Sequence, residues 1–360
     1  MSSKNKITQY LENLRPEIDK IIEEYIPKKV SSQWLEFVFG NPHYQYTPEA
    51  AQEALINPVW DFLERGGKRW RPALFLLIAE AVGGDIKKLK DFSIVPELIH
   101  NGSLIVDDIE DEGELRRGKP CLHKIFGIDV AVNAGNFMYF LPLIVFKNNK
   151  DNFESDVLLT AYNIYAQEMM NIHLGQGTDI FWHKGRAEEI NEKEYFQMCI
   201  FKTGCLSRMA AKLAVILSGK DKGLAEKVGR VAEAIGVAFQ IQDDILDISL
   251  AGQEREKFGK SFGNDIKEGK RSLMVIYTLQ KAADKDKKRL LEILNKHTED
   301  IGEIKEAINI MEKYKSIEHA KTTAKNIITD AWQDADRFLK ESEAKTRLKD
   351  FINYLVERSE

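Results

Sequence analysis

Apolar residues recur at intervals of three and four along nearly the whole chain: Leu11, Leu14, Ile18, Ile21 and Ile22 near the start, and Ile317, Ala320, Ala324, Ile327, Ala331 and Phe338 near the end. That spacing lines one face of a helix. Long polar and apolar alternations closed by Asn-Gly or Asp-Gly turns are missing, so the reading is an all-α fold. Asn191 followed by Glu194 predicts an N-cap with its partner three residues on. It opens a helix running through Lys202 and Leu213 to Ser218 and stopping at Gly219. A second helix is predicted from near Pro72 to Gly83-Gly84. No repeat, low-complexity tract or Pro-rich linker divides the chain, so a single domain over 1–360 is expected. Its parts are an N-terminal helical extension (1–60), a core carrying the motifs (60–280) and C-terminal helices (281–360).

Composition narrows the field. With 360 residues, 43% hydrophobic and only 9 Pro, the chain has ample material for a core, and disorder is excluded. A formal charge of −5 offers no overall basic field for nucleic acid. The longest apolar runs, 74–79 and 139–146, fall short of the roughly 18 residues that cross a bilayer, so no membrane span is expected. The first residues run directly into a polar helical pattern, without the apolar stretch of a leader. Cys121, Cys199 and Cys205 form no CxxC pair, which fits reduced thiols and a cytoplasmic location. The charged run at 285–289 reads as a solvated helix face.

Two aspartate clusters carry the chemistry: Asp107-Asp108-Ile109-Glu110-Asp111 and Asp243-Asp244-Ile245-Leu246-Asp247, each of the form D-D-x-x-D. With 23 Asp in 360 residues, chance yields such a pattern roughly 0.1 times per chain. On a helix the first and fifth positions share a face, so their carboxylates can converge on one hard cation. Mg²⁺ takes oxygen ligands and completes its shell with water and substrate phosphates. Both clusters close apolar stretches, Ser103–Val106 and Val237–Ile241, where three carboxylates repel one another unless a cation or basic partner compensates them. The pairing predicts a diphosphate held through metal ions.

Basic residues supply the other half of such a site. Gly66-Gly67-Lys68-Arg69-Trp70-Arg71-Pro72 places cations after a Gly pair at a predicted helix start, where N–H groups also favour an anion. Arg116-Arg117-Gly118 adds two guanidiniums able to fork onto phosphate oxygens. Lys202 lies within a helical segment, and Lys260, Asp265 and Lys270 follow the second cluster. No Ser-His-Asp or Cys-His arrangement calls for a side-chain nucleophile.

In this order, Gly-Gly-Lys-Arg-x-Arg-Pro at 66–72, His100, the first cluster, Arg-Arg-Gly at 116–118, Gly-Gln-x-x-Asp at 175–179, Lys-Thr at 202–203 and Phe-Gln-x-x-Asp-Asp-x-x-Asp at 239–247 resemble the trans-isoprenyl diphosphate synthases. The resemblance spans residues 60–280 by motif, and the closing 354–358 is similar to the family's last helix. It implies the isoprenoid synthase fold, with long helices around a central cavity, usually as a homodimer. It also implies Mg²⁺-dependent head-to-tail condensation of isopentenyl diphosphate with an allylic diphosphate (dimethylallyl, geranyl or farnesyl). Carried over, Asp107, Asp111 and Asp243, in clusters completed by Asp108, Asp244 and Asp247, would bind three Mg²⁺. Arg116, Lys202, Lys260, Lys270 and Gln240 would contact the allylic diphosphate. Lys68, Arg71, His100 and Arg117 would hold isopentenyl diphosphate, and Thr203, Gln240, Gln176 and Asp179 would line the reacting centre.

In this family product length follows cavity depth. Ser103 and Gly102, four and five residues before Asp107, are small, which argues against a farnesyl-length product. The segments 104–111 and 171–182 are similar to those of eukaryotic-type geranylgeranyl diphosphate synthases, in which an aromatic pair and a histidine close the pocket. Tyr139, Phe140 and His173 match those positions. Longer products (C25 or greater), a farnesyl product, a regulatory subunit of a heteromeric synthase, a terpene cyclase and an acidic helical scaffold are the rival readings.

Overall fold

A computed structural model describes residues 3–187, 189–249 and 262–356. The chain folds as two compact units, one holding the residues up to 163 together with 210–222, the other 164–209 and 223 onward. Helices used below are labelled α1 (Ser3–Tyr25), α2 (Trp70–Ala81), α3 (Ile94–Glu110), α4 (Ile128–Phe140), α5 (Ser155–His183), α6 (Glu192–Cys199), α7 (Cys205–Leu217) and α8 (Lys222–Ser249). Among the described residues, strands are confined to one hairpin, β1 (Leu115–Arg116) and β2 (Lys119–Pro120), paired Leu115 to Pro120 and Arg116 to Lys119.

In the first unit α2 is buried almost all round, through Leu74, Phe75, Leu77 and Ile78. α3 packs against it, burying Ile94, Leu98 and Ile105, and α4 packs against α3 in turn, burying Ala131, Ala134 and Met138. α3 and α4 approach unusually closely at Gly102, where a β-carbon would stand 2.8 Å from Met138 Cβ and 2.9 Å from the Gly135 carbonyl oxygen. The small residue at 102 is therefore demanded by helix packing. Sequence reading found no membrane-length apolar helix, but Ile128–Asn148 is long and apolar enough by length and composition. Half of it is buried inside the protein, as in a core helix.

In the second unit the predicted cap is present. Asn191 Oδ1 accepts from the Lys193 and Glu194 amides at 3.0 and 3.1 Å, and Glu194 accepts from the Asn191 amide at 2.9 Å. The helical run extends to Leu217 with Gly219 at φ 72, as the sequence predicts. One feature was not predicted: Ile200–Gly204 form a π-helical turn inside this run. The charged segment at 284–296 is a helix that buries Leu290, Ile293 and Leu294 and leaves its lysines outside, as expected.

Candidate active site

The first aspartate cluster closes α3, with Asp111 as its C-cap. The free carbonyls of a helix C-terminus add to the carboxylates in favouring a cation there. Asp107 and Asp111 remain partly accessible, whereas Asp108 is buried. Arg116 Nε donates to Asp108 Oδ1 at 2.7 Å, and its Nη2 lies 2.5 Å from Asp108 Oδ1 and 3.4 Å from Asp107 Oδ2. Burial pushes the Asp108 carboxyl up and Arg116 opposes that shift.

The Arg-Arg-Gly motif explains its own geometry. Arg117 and Gly118 both have positive φ (53 and 75), the two-residue turn that suits the twist of a hairpin. Arg116 precedes the turn and faces the cluster. Arg117 on the turn donates instead to the Gly66 carbonyl and, at 3.3 Å, to Asn101 Oδ1. Burial, with Arg69, Arg116 and Arg65 nearby, lowers Arg117 to about 10.

Arg69, given no separate role by the sequence motif, organises the basic loop. It sits at φ 48, a strained conformation for a non-glycine residue, just ahead of α2. Its buried guanidinium bonds Asp19 of α1 at 2.8 Å, Glu97 of α3 at 3.0 Å and the Leu63 carbonyl at 3.0 Å. Glu97 in turn accepts from Asn101 at 3.1 Å. The available signal was Glu97, a lone carboxylate within the apolar run Ile94–Ile99. Arg71 is buried with its guanidinium 4.3 Å from the Trp70 ring centre, while Lys68 is exposed on the same loop. Burial, then Arg71, Arg117, Arg116 and Arg69, hold half-buried His100 well below the ordinary imidazole value. Arg71, His100 and Arg117 thus stand within electrostatic reach of one another.

Tyr139 is buried and Phe140 is 68% exposed, as neighbours about 100° apart on one helix must diverge. Ser103 is half-buried and donates to the His100 carbonyl at 2.9 Å.

In the second unit, Lys202 on the π-helical turn donates to Asp179 Oδ2 at 2.6 Å. Burial works against the Asp179 charge, but Lys202 and Lys270 outweigh it and hold the carboxyl below its usual range. Gln176 is half-buried one turn earlier on α5, and His173 is exposed, its Nδ1 2.7 Å from the Met169 carbonyl oxygen. Thr203 donates to Gln240 Oε1 at 2.8 Å, and Gln240 Nε2 donates to Asp244 Oδ1 at 2.8 Å. Tyr195, fully buried and missed in the sequence, donates to Asp244 Oδ2 at 3.1 Å. Burial and Asp265 push Asp244 up against these donors. Asp247 is buried too, and its Oδ2 accepts from the Asp265 amide at 3.0 Å. Lys270 lies 3.7 Å from Asp265 and also pairs with Glu268. Asp243 is the partly accessible member of this cluster. Lys260 lies outside the described residues.

Among the described residues no group of three His, Cys, Asp or Glu side chains gathers closely enough to hold a metal ion by itself. The partly accessible pair Asp107 and Asp111 is a hard, all-oxygen donor set in the first unit, and Asp243 is a donor of the same kind in the second. Both fit an ion such as Mg²⁺, which takes one or two carboxylates and relies on water and phosphate for the rest.

The polyprenyl synthetase family model matches residues 52–311. The chain belongs to that family. As a member it is a trans-prenyltransferase. It is 34% identical over 306 residues to a short chain isoprenyl diphosphate synthase of Methanothermobacter thermautotrophicus, covering 85% of this chain and 91% of that protein. It is also 34% identical over 279 residues to a geranylgeranyl pyrophosphate synthase of Dictyostelium discoideum, covering 78% and 86%. The crystal structure of geranylgeranyl pyrophosphate synthetase from Pyrococcus horikoshii superposes with a TM-score of 0.85 at 28% identity, over 99% of this chain and 100% of that one. The polyprenyl synthetases share the isoprenoid synthase fold, so the all-α expectation holds.

Proposed function

We propose that this polyprenyl synthetase condenses isopentenyl diphosphate with an allylic diphosphate, head to tail, and that its main product is geranylgeranyl diphosphate. The observation that carries the reading is the hairpin pair Arg116 and Arg117. One faces the accessible carboxylates of the first cluster, and the other joins Arg71 and His100, so cation-seeking and anion-seeking groups stand side by side. Names of the relatives support the product.

Bound Mg²⁺, three ions per site, would stabilise the negative charge that builds on the departing diphosphate. Asp107, Asp111 and Asp243 would hold these ions. Arg116, Lys202, Lys260 and Lys270 bind the allylic diphosphate, while Lys68, Arg71, His100 and Arg117 orient isopentenyl diphosphate. Cations fixed where charge develops lower the barrier to breaking the allylic C–O bond. The isopentenyl double bond attacks the freed carbon, and a proton leaves for the released diphosphate. Thr203, Gln240 and Gln176 line this centre, and Tyr139 limits the chain. The whole chain acts as one cytoplasmic synthase domain. A homodimer is proposed, supported by exposed Ile128, Val132 and Phe140 on α4 and Met170, Leu174 and Phe181 on α5.

The test is incubation of the purified protein with Mg²⁺, labelled isopentenyl diphosphate and each of the three allylic starters, followed by chromatography of the dephosphorylated products. A C20 alcohol is expected. A C15 or C25 alcohol would replace the product assignment, and no product with any starter would overturn the reading.

A further inference from the structure

Asp244 belongs to an aspartate motif, yet both of its oxygens are taken by protein side chains. Oδ1 accepts from Gln240 Nε2 at 2.8 Å and Oδ2 from the Tyr195 hydroxyl at 3.1 Å. The carboxylate is only 7% exposed and the tyrosine 1%. Cys199, one turn on from Tyr195 in α6, is hydrogen-bonded to the same phenol. The far end of the Gln240 amide is also fixed, because Oε1 accepts from Thr203 Oγ1 at 2.8 Å. Tyr195, Asp244, Gln240 and Thr203 therefore form one chain of hydrogen bonds, drawn from α6, the π-helical turn and α8.

An amide has two ends of opposite polarity and nearly identical shape, so a site that needs one end must enforce it. Carbon that gains positive charge is stabilised by lone pairs and opposed by N–H donors. A carboxylate with both oxygens accepting turns the Gln240 NH₂ toward itself and leaves the carbonyl oxygen beside Thr203. The carboxylate enforces this only while it is held in place beside the amide, and the Tyr195 hydroxyl on its second oxygen holds it there.

We propose that Tyr195 is a positioning residue for prenyl transfer: it locks Asp244, and Asp244 sets the Gln240 amide with its carbonyl oxygen turned to the Thr203 side. Asp244 then acts as an orienting group, not as a metal ligand. This rests on the prenyl-transfer reading above.

Tyr195→Phe removes the hydroxyl and keeps the ring. The expected result is a kcat at least tenfold lower, with KM for both diphosphates within twofold of the unaltered protein. Calorimetric binding of Mg²⁺ with inorganic pyrophosphate should be unchanged. Asn can satisfy either orientation of the Gln240 amide, so Asp244→Asn should lower kcat similarly, again with unchanged Mg²⁺-pyrophosphate binding. The double variant should be no slower than the slower single one, since both break the same chain. Unimpaired kcat in Tyr195→Phe, losses that multiply in the double variant, or weakened Mg²⁺-pyrophosphate binding in Asp244→Asn would each overturn the proposal. The last measurement decides even if Tyr195→Phe does not fold. The unaltered protein run alongside separates the two readings. No product from it overturns prenyl transfer itself, whereas product from it with an unimpaired Tyr195→Phe overturns only the role given to Tyr195.

Discussion

No side chain can be added to Gly175 without moving Lys202: a β-carbon there would lie 2.2 Å from the Lys202 amide nitrogen and 2.5 Å from the Phe201 carbonyl carbon. α5 and the π-helical turn touch backbone to backbone at this point, and one turn further along α5 Lys202 meets Asp179. Displacements of about 1 Å in a positioned group can cost 100-fold in rate. Gly175→Ala is therefore expected to lower kcat by about that factor and to reduce Tm. A variant with normal kcat would show that the turn need not be held there.

The aspartates divide by exposure, and so should their phenotypes. Replacing the partly accessible Asp107 or Asp243 by Ala should cost several kcal/mol of transition-state stabilisation, about 100- to 1,000-fold in kcat, with Tm little changed. Asp108→Ala should act through folding, because it strips the half-buried Arg116 of its closest partner. Breaking such a pair costs about 3–5 kcal/mol. Denaturant titration alongside kinetics distinguishes the two classes; a stable, slow Asp108 variant would contradict the division.

Product length should respond to Ser103 and Tyr139 and not to Gly102. Ser103→Phe is expected to shorten the product and Tyr139→Ala to lengthen it, read by chromatography of the dephosphorylated alcohols. Gly102→Ala should leave chain length alone and destabilise the protein by about 1–3 kcal/mol, since α3 and α4 must part to admit the methyl group. A stable Gly102→Ala protein with an altered product would restore that residue to the cavity.

Burial holds His100, His123 and His183 below the ordinary imidazole value. Their folded-state pKa values are depressed, so the unfolded chain binds protons first as pH falls through about 6.5. Stability is then full above that pH and declines below it, by up to about 1.4 kcal/mol per pH unit for each histidine. His100→Gln should flatten the dependence by about one proton between pH 7 and pH 5. An unchanged slope of unfolding free energy against pH would place His100 in contact with solvent protons in the native state.

Much of this was legible in advance, for identifiable reasons. Helix ends governed by local chemistry, such as the Asn191 cap and the Gly219 stop, were found where spacing put them. The π-helical turn at Ile200–Gly204 was not, because one extra residue in a turn barely disturbs an apolar period. Nor was the hairpin, whose two-residue strands are too short to alternate. The motifs named the carboxylates but could not rank them. Burial of Asp108, Asp244 and Asp247 depends on partners such as Arg116 and Tyr195, and Tyr195 stands 49 residues from Asp244. The close contact at Gly102 depends on Met138 and Gly135 of the facing helix, which no local pattern announces.

The bond from Asp19 to Arg69 bears on where the protein begins as a folding unit. The shared family pattern starts at residue 52, so a fragment cut there would keep every motif. It would also lose α1, and with it one of the two carboxylates that neutralise a buried guanidinium held in a left-handed conformation. Ancestry and cooperativity thus parse the chain differently. The residues the family model matches hold every motif, whereas the smallest piece able to hold that chemistry in place reaches back to α1, ahead of them.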